Sequence, residues 1–89
     1  MLLESVHPVA EEILTHAGMS VQTARGAMDE DELVTALQDV DVLGIRSKTQ
    51  VPAAVLDRCP HLMAVGAFCI GTNQIDLGAA SRRGVAVFN

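Results

Sequence analysis

The sequence predicts an α/β domain built on a doubly wound parallel sheet. Three observations carry that expectation. Five short aliphatic runs alternate with four segments of helical period. The joins carry turn, helix-start or capping chemistry, at Gly18, Gly26, Pro52, Asp76 and Gly84. One run, Met63-Ala64-Val65, is apolar without alternation, the mark of a strand buried on both faces.

The first expected strand is Leu2-Leu3-Glu4-Ser5-Val6. Pro8 then suits the first turn of a helix, where its missing N–H costs nothing. Val9, Ile13, Leu14 and Ala17 give that helix an apolar face, and Gly18 stops it. Residues 20–24 read as a weak second strand at an edge, since Val21 is their one large apolar residue. Asp29-Glu30-Asp31-Glu32 opens the next helix, with acids at the positive end of its dipole. No glycine-punctuated oxygen-ligand loop follows, so the acids read as a solvated face rather than a metal site. Leu33, Val34, Ala36 and Leu37 form the buried stripe of this helix.

Asp41-Val42-Leu43-Gly44-Ile45 is the third expected strand, followed at once by Arg46-Ser47-Lys48-Thr49-Gln50. Pro52 starts a helix with Ala53, Val55 and Leu56 inward, and Cys59-Pro60 ends it. Met63-Ala64-Val65 is the fourth strand. A loop bearing Gly66 and Gly71 comes next, and Asp76 caps a short helix that runs to Arg83. Gly84 stops that helix, and Val85-Ala86-Val87-Phe88 is the fifth strand.

Right-handed crossovers and short loops favour a flavodoxin-like strand order of 2-1-3-4-5. At 89 residues the chain fills one small domain. Its core must be aliphatic, because Phe68 and Phe88 are the only aromatic residues. A net charge of −5, with neither a basic stripe nor stacking aromatics, argues against nucleic acid as a partner. No apolar run reaches membrane-spanning length, and the start lacks the pattern of a signal peptide. Two cysteines in an α/β pattern suggest reduced thiols and a cytoplasmic setting.

In such a sheet every strand-to-helix loop lies on the carboxyl edge, where open α/β sheets bind ligands. That rim would hold residues 5–7, 46–49 and 67–71 with Asn89. Arg46 and Lys48 are its expected cations, beside a loop rich in free N–H groups, so the expected ligand is a small anion combining a carboxylate with a phosphate. The alternative for Arg46 is structural, pairing with Asp41 or capping a helix. Ser47 and Thr49 read as helix-capping residues rather than nucleophiles, because no histidine is placed as their base. His7 is a minor candidate for substrate contact. Cys69 reads as a small buried apolar residue. Cys59, His61 and Cys69 lack paired-ligand spacing, so no metal is expected.

The two loops also carry a resemblance. Gly44-Ile45-Arg46-Ser47-Lys48-Thr49, then residues 65–77 with their Phe-Cys-Ile-Gly-Thr-Asn-Gln run, then Ala79-Ala80-Ser81-Arg82-Arg83-Gly84-Val85-Ala86-Val87-Phe88-Asn89, resemble the D-3-phosphoglycerate dehydrogenase branch of the D-isomer-specific 2-hydroxyacid dehydrogenases. The likeness spans essentially the whole chain. The Phe-Cys-Ile-Gly-Thr-Asn-Gln run resembles the bacterial-type branch; other branches tend to have an arginine and further glycines where this chain has Ala67 and Cys69.

The resemblance implies oxidation of 3-phosphoglycerate to 3-phosphohydroxypyruvate with NAD, a step of serine biosynthesis, by a homo-oligomeric enzyme. It implies that Arg46 and Ser47 lie near the substrate phosphate, with Lys48 as a further cation. The backbone of Ala67, Phe68, Cys69 and Ile70 would face the substrate carboxylate. Its histidine base, orienting glutamate, carbonyl-polarising arginine and glycine-rich dinucleotide fingerprint are expected beyond Asn89. The chain then corresponds to the N-terminal part of a substrate-binding domain, without the cofactor domain and inactive alone. The alternative is a stand-alone small-anion-binding or regulatory α/β module. A response-regulator receiver ranks last, because no acidic cluster follows the first expected strand.

Overall fold

The computed structural model describes residues 1–4, 8–18, 20–68 and 71–88. In chain order the elements are α1 (Pro8–His16), α2 (Glu30–Ala36), β1 (Val42–Ile45), α3 (Ala53–Asp57), β2 (Ala64–Ala67), α4 (Leu77–Arg83) and β3 (Ala86–Phe88). The strands form a parallel sheet in the order β1-β2-β3. Val42 pairs with Ala64, Gly44 with Gly66, and Gly66 in turn with Phe88.

Helix starts follow the local chemistry. Asp29 caps α2 in a full capping box: its carboxylate accepts the Glu32 N–H at 2.9 Å, and the Glu32 carboxylate accepts the Asp29 N–H at 3.2 Å. Asp76 caps α4 by accepting the Ala79 N–H at 2.9 Å. Gly84 ends α4 with φ of 72°, a conformation that a side chain would strain. At the same end Arg83 pairs with Asp57 at 2.8 Å, joining α4 to α3.

The core is aliphatic. Leu3, Leu33, Leu37, Leu43, Ile45, Val51, Val55 and Val65 are completely buried, and Phe68 and Phe88 are both exposed. Burying each of these side chains contributes about 1.5–3 kcal/mol, so the sheet and helices α2 to α4 are held chiefly by them.

Five strands were expected, and three form among the described residues. Residues 1–4 and 22–24 attach as single bridges instead: Leu2 pairs in parallel with Thr23 on one side and with Gly44 on the other. The Leu2 N–H donates to the Gln22 carbonyl at 2.8 Å, and the Leu3 N–H donates to the Gly44 carbonyl at 2.9 Å. The extended run then breaks at Glu4, whose φ of 58° lies in the left-handed region. Ser5 and Val6, the rest of the expected first strand, lie outside the described residues.

Three further expectations are corrected. Gly66 belongs to β2 rather than to the loop after it, so the loop begins later. Met63 is exposed, and β2 alternates between half-buried and buried residues, so it is not covered throughout on both faces. Helix α1 forms and ends before Gly18, yet Ile13 is 62% exposed and Ala17 is exposed as well. Among the described residues α1 packs against no other helix or strand, and its amphipathic pattern finds no buried partner there.

Candidate functional site

The loop after β1 is built around a carboxylate that sequence reasoning passed over. Glu4 is 8% exposed, and its side chain reaches the loop of residues 46–49. One carboxylate oxygen accepts the Arg46 N–H at 2.9 Å and the Thr49 N–H at 3.0 Å, and the other accepts the Lys48 N–H at 2.8 Å. Burial pushes the Glu4 carboxyl pKa up, but these three N–H groups, with the Thr49 hydroxyl beside them, outweigh it and hold the pKa below the ordinary value. The backbone of Glu4 holds a second loop, since its own N–H donates to the Gly26 carbonyl at 3.3 Å.

The loop is pinned from the other side by residues after β2. Gln74, nearly buried, donates from Nε2 to the Arg46 carbonyl at 2.7 Å. The Val51 N–H donates to the Gln74 carbonyl at 2.8 Å, and the Asp76 N–H donates to the Val51 carbonyl at 3.0 Å. Residues 46–51 and 74–76 are thereby stitched together on the carboxyl edge of the sheet.

Among the described residues, two clefts open on this edge. One, of about 260 Å³, is lined by Glu4, Arg25, Gly26, Ala27, Arg46, Ser47 and Lys48. The other, of about 650 Å³, is lined by Arg46, Ser47, Gln50, Phe68, Gly71, Asn73 and Gln74. Arg46 and Ser47 line both. A third cleft, of about 520 Å³, lies where Met1 and Val42 begin their extended runs; it carries Asp39 and Asp41 and no lysine or arginine. Its chemistry does not suit an anion.

Of the residues singled out from sequence, Arg46, Ser47 and Lys48 are exposed and share the smaller cleft. Among the described residues neither Arg46 nor Lys48 forms a salt bridge, and the alternative pairing of Arg46 with Asp41 is not made. Ser47 and Thr49 do not cap a helix, because Pro52 occupies the N-cap of α3 without a side-chain bond. Thr49 is instead fully buried; its hydroxyl stands beside the Glu4 carboxylate without a well-aligned hydrogen bond among the described residues.

Ala67 is the buried last residue of β2. The Phe68 N–H donates to the Ile45 carbonyl at 2.7 Å, so the sheet already uses it. The Phe68 ring lies over the glycine pair: a β-carbon on Gly44 would sit 3.1 Å from Phe68 Cε1, and one on Gly66 would sit 3.4 Å from the same atom. Cys69, Ile70, Asn89 and residues 5–7 with His7 lie outside the described residues. Cys59 is buried in the core, where burial raises its thiol pKa against a smaller opposing effect of Arg58.

Glu4, Arg25 and Gln74 were missed. Gln74 stood inside the motif after β2 without a role of its own. Arg25 follows the weakest expected strand, so only the bridge at Thr23 brings it to the rim. No helix among the described residues is long and apolar enough to cross a membrane.

Basic side chains gathered on the carboxyl edge of a parallel sheet define an α/β domain suited to a small anionic ligand. The whole chain, residues 1–89, matches the family model for the catalytic domain of D-isomer specific 2-hydroxyacid dehydrogenases, and the chain belongs to that family. It is 47% identical over 90 residues to a D-3-phosphoglycerate dehydrogenase of Haemophilus influenzae, covering all of this chain and 22% of that one. It is 44% identical over 89 residues to D-3-phosphoglycerate dehydrogenase 1 of Saccharomyces cerevisiae, covering all of this chain and 19% of that one. The chain thus spans about a fifth of the length of these curated relatives. The NAD+-bound 3-phosphoglycerate dehydrogenase of Entamoeba histolytica shares the fold, with a TM-score of 0.80 at 16% identity over 97% of this chain and 30% of that one.

Proposed function

We propose that this chain is a substrate-binding portion of an NAD-dependent D-3-phosphoglycerate dehydrogenase. The observation that carries the reading is the position of Arg46 and Ser47 on the wall between two clefts, one of them lined by Arg25, Arg46 and Lys48. A substrate with a phosphate at one end and a carboxylate at the other suits that arrangement. The cationic cleft takes the phosphate, with Arg46 offering two parallel hydrogen bonds. The stretch that leaves β2, from its last residue Ala67 through Phe68, Cys69 and Ile70, takes the carboxylate end. Because the Phe68 N–H is spent on the sheet, any backbone contact in that loop falls to the residues after it.

The hydride acceptor is NAD, held by a domain outside this chain, and the catalytic base comes from there as well. The chain's own residues bind and orient; they supply no proton transfer. In the complete domain the bridging segments around Leu2 and Thr23 lengthen into strands and give the order 2-1-3-4-5. The complete enzyme is a homo-oligomer of the cytoplasm.

The test is an assay of the complete protein for NADH formation from 3-phosphoglycerate, beside calorimetry of the 89-residue chain with NAD. Turnover by the complete protein and no NAD binding by the chain are expected. A complete protein that leaves 3-phosphoglycerate untouched overturns the substrate, and micromolar one-to-one NAD binding by this chain overturns the assignment to the substrate domain.

A further inference from the structure

Glu4 joins two loops that carry the cations of the smaller cleft. Its backbone N–H holds Gly26, next to Arg25. Its carboxylate holds the N–H groups of Arg46, Lys48 and Thr49, residues 42 to 45 positions further along the chain. It does so from a left-handed backbone, with φ of 58°, that a glutamate seldom adopts. Three converging N–H groups would otherwise form a concave site for an outside anion. The chain fills that site with its own carboxylate, so a ligand's phosphate is left to the side chains above it.

Resting on the phosphoglycerate dehydrogenase reading, we infer that Glu4 is the positioning residue that fixes Arg25, Arg46 and Lys48 relative to one another for the phosphate. Although it lines the cleft, its carboxylate oxygens are taken up by those N–H groups, so it acts through the loops it holds. It sets where two loops stand, and so the spacing of the cations.

Glu4→Gln tests this, because it keeps the shape and removes the charge. The amide oxygen can still accept at one position, but the amide nitrogen must face an N–H donor at the other. In the complete enzyme the KM for 3-phosphoglycerate should rise about ten- to a hundredfold, the scale that misplaced binding groups produce. The kcat and the KM for NAD should stay within about twofold, since neither rests on the cleft geometry. A non-phosphorylated D-2-hydroxy acid should lose far less kcat/KM than 3-phosphoglycerate does. A fall in melting temperature with both substrates equally affected would make Glu4 a purely structural residue and overturn the inference. If the unmodified complete enzyme ignores 3-phosphoglycerate, the functional reading falls first, and that result appears before any variant is made.

Should Glu4→Gln fail to fold, amide exchange on the unmodified protein decides. The Arg46, Lys48 and Thr49 amides should be protected and should stay so at saturating inorganic phosphate. Fast exchange, or protection that appears only with phosphate, would show that the carboxylate does not hold them and would overturn the inference.

Discussion

The Phe68 ring stands over Gly44, leaving 3.1 Å between its Cε1 and the position a β-carbon on that glycine would take. Leu2 crowds the same position more tightly, with its Cδ2 at 2.6 Å. Both contacts follow from the sheet. Leu2 bridges Gly44 directly, and Phe68 continues the strand that pairs Gly66 with Gly44.

Gly44→Ala should therefore destabilise the fold by about 1 kcal/mol, the low end of overpacking costs, because it meets the tip of Leu2 and an exposed ring. Gly66→Ala faces Phe68 at an ordinary contact distance of 3.4 Å, so its cost should be clearly smaller. Denaturant titration of the two variants checks the order. Equal losses would mean that Leu2 and the Phe68 ring move aside freely.

Leu43→Ala removes a fully buried side chain from β1 and should cost about 2–5 kcal/mol. Set against the roughly 5–15 kcal/mol that holds an intact domain together, that loss could leave this small chain unfolded at 37 °C. Ile13→Ala, on the exposed face of α1, should change stability by only about 0.5 kcal/mol or less. Circular dichroism on the pair separates packed from unpacked aliphatic residues.

Arg46→Lys should lower kcat/KM for 3-phosphoglycerate about ten- to a hundredfold in the complete enzyme, as expected for losing a charge-assisted bond of about 1.5–3 kcal/mol. A point charge replaces the two parallel bonds that a guanidinium offers a phosphate. The KM for NAD should hardly move. Steady-state kinetics with 3-phosphoglycerate and with a non-phosphorylated 2-hydroxy acid measures the difference. An equal loss on both would remove Arg46 from phosphate binding.

Stability should respond to acid through Glu4. Burial acts to raise its folded pKa, yet the three N–H groups and the Thr49 hydroxyl hold it below the ordinary value. A depressed carboxyl pKa contributes stability that is complete above the unfolded value, about 4.3, and is lost as pH falls through the folded value. The stability difference between the unmodified chain and Glu4→Gln should therefore be constant from pH 7 to 5 and shrink below pH 4. Urea midpoints across that range check the sign; a difference that grows on acidification would mean the carboxylate is not stabilised by the loop.

The sequence makes local elements legible where their chemistry is local. Asp29, Asp76, Gly18 and Gly84 mark helix ends through atoms a few positions away, and each lies at or just beyond one. Leu33, Leu37, Leu43 and Val55 declare the core by period and hydrophobicity, and all are buried. Glu4 carries no such signal, because its partners lie 42 to 45 residues along the chain. It reads as an ordinary polar residue in a strand and becomes legible only when the loop closes on it. Gly66 reads as a turn because glycine usually marks one, whereas here it leaves room beside the Phe68 ring. The face of α1 shows that an amphipathic period predicts a helix without saying what covers it.

The carboxylate beneath the smaller cleft also sets a charge balance. Arg25, Arg46 and Lys48 line a space of about 260 Å³, and Glu4 sets one negative charge among these basic groups. A phosphomonoester at neutral pH carries close to two negative charges, whereas an isolated carboxylate or a monovalent salt anion carries one. The excess of basic groups around the cleft favours the doubly charged ion. Competition from chloride should be weak beside competition from inorganic phosphate or sulfate at the same ionic strength.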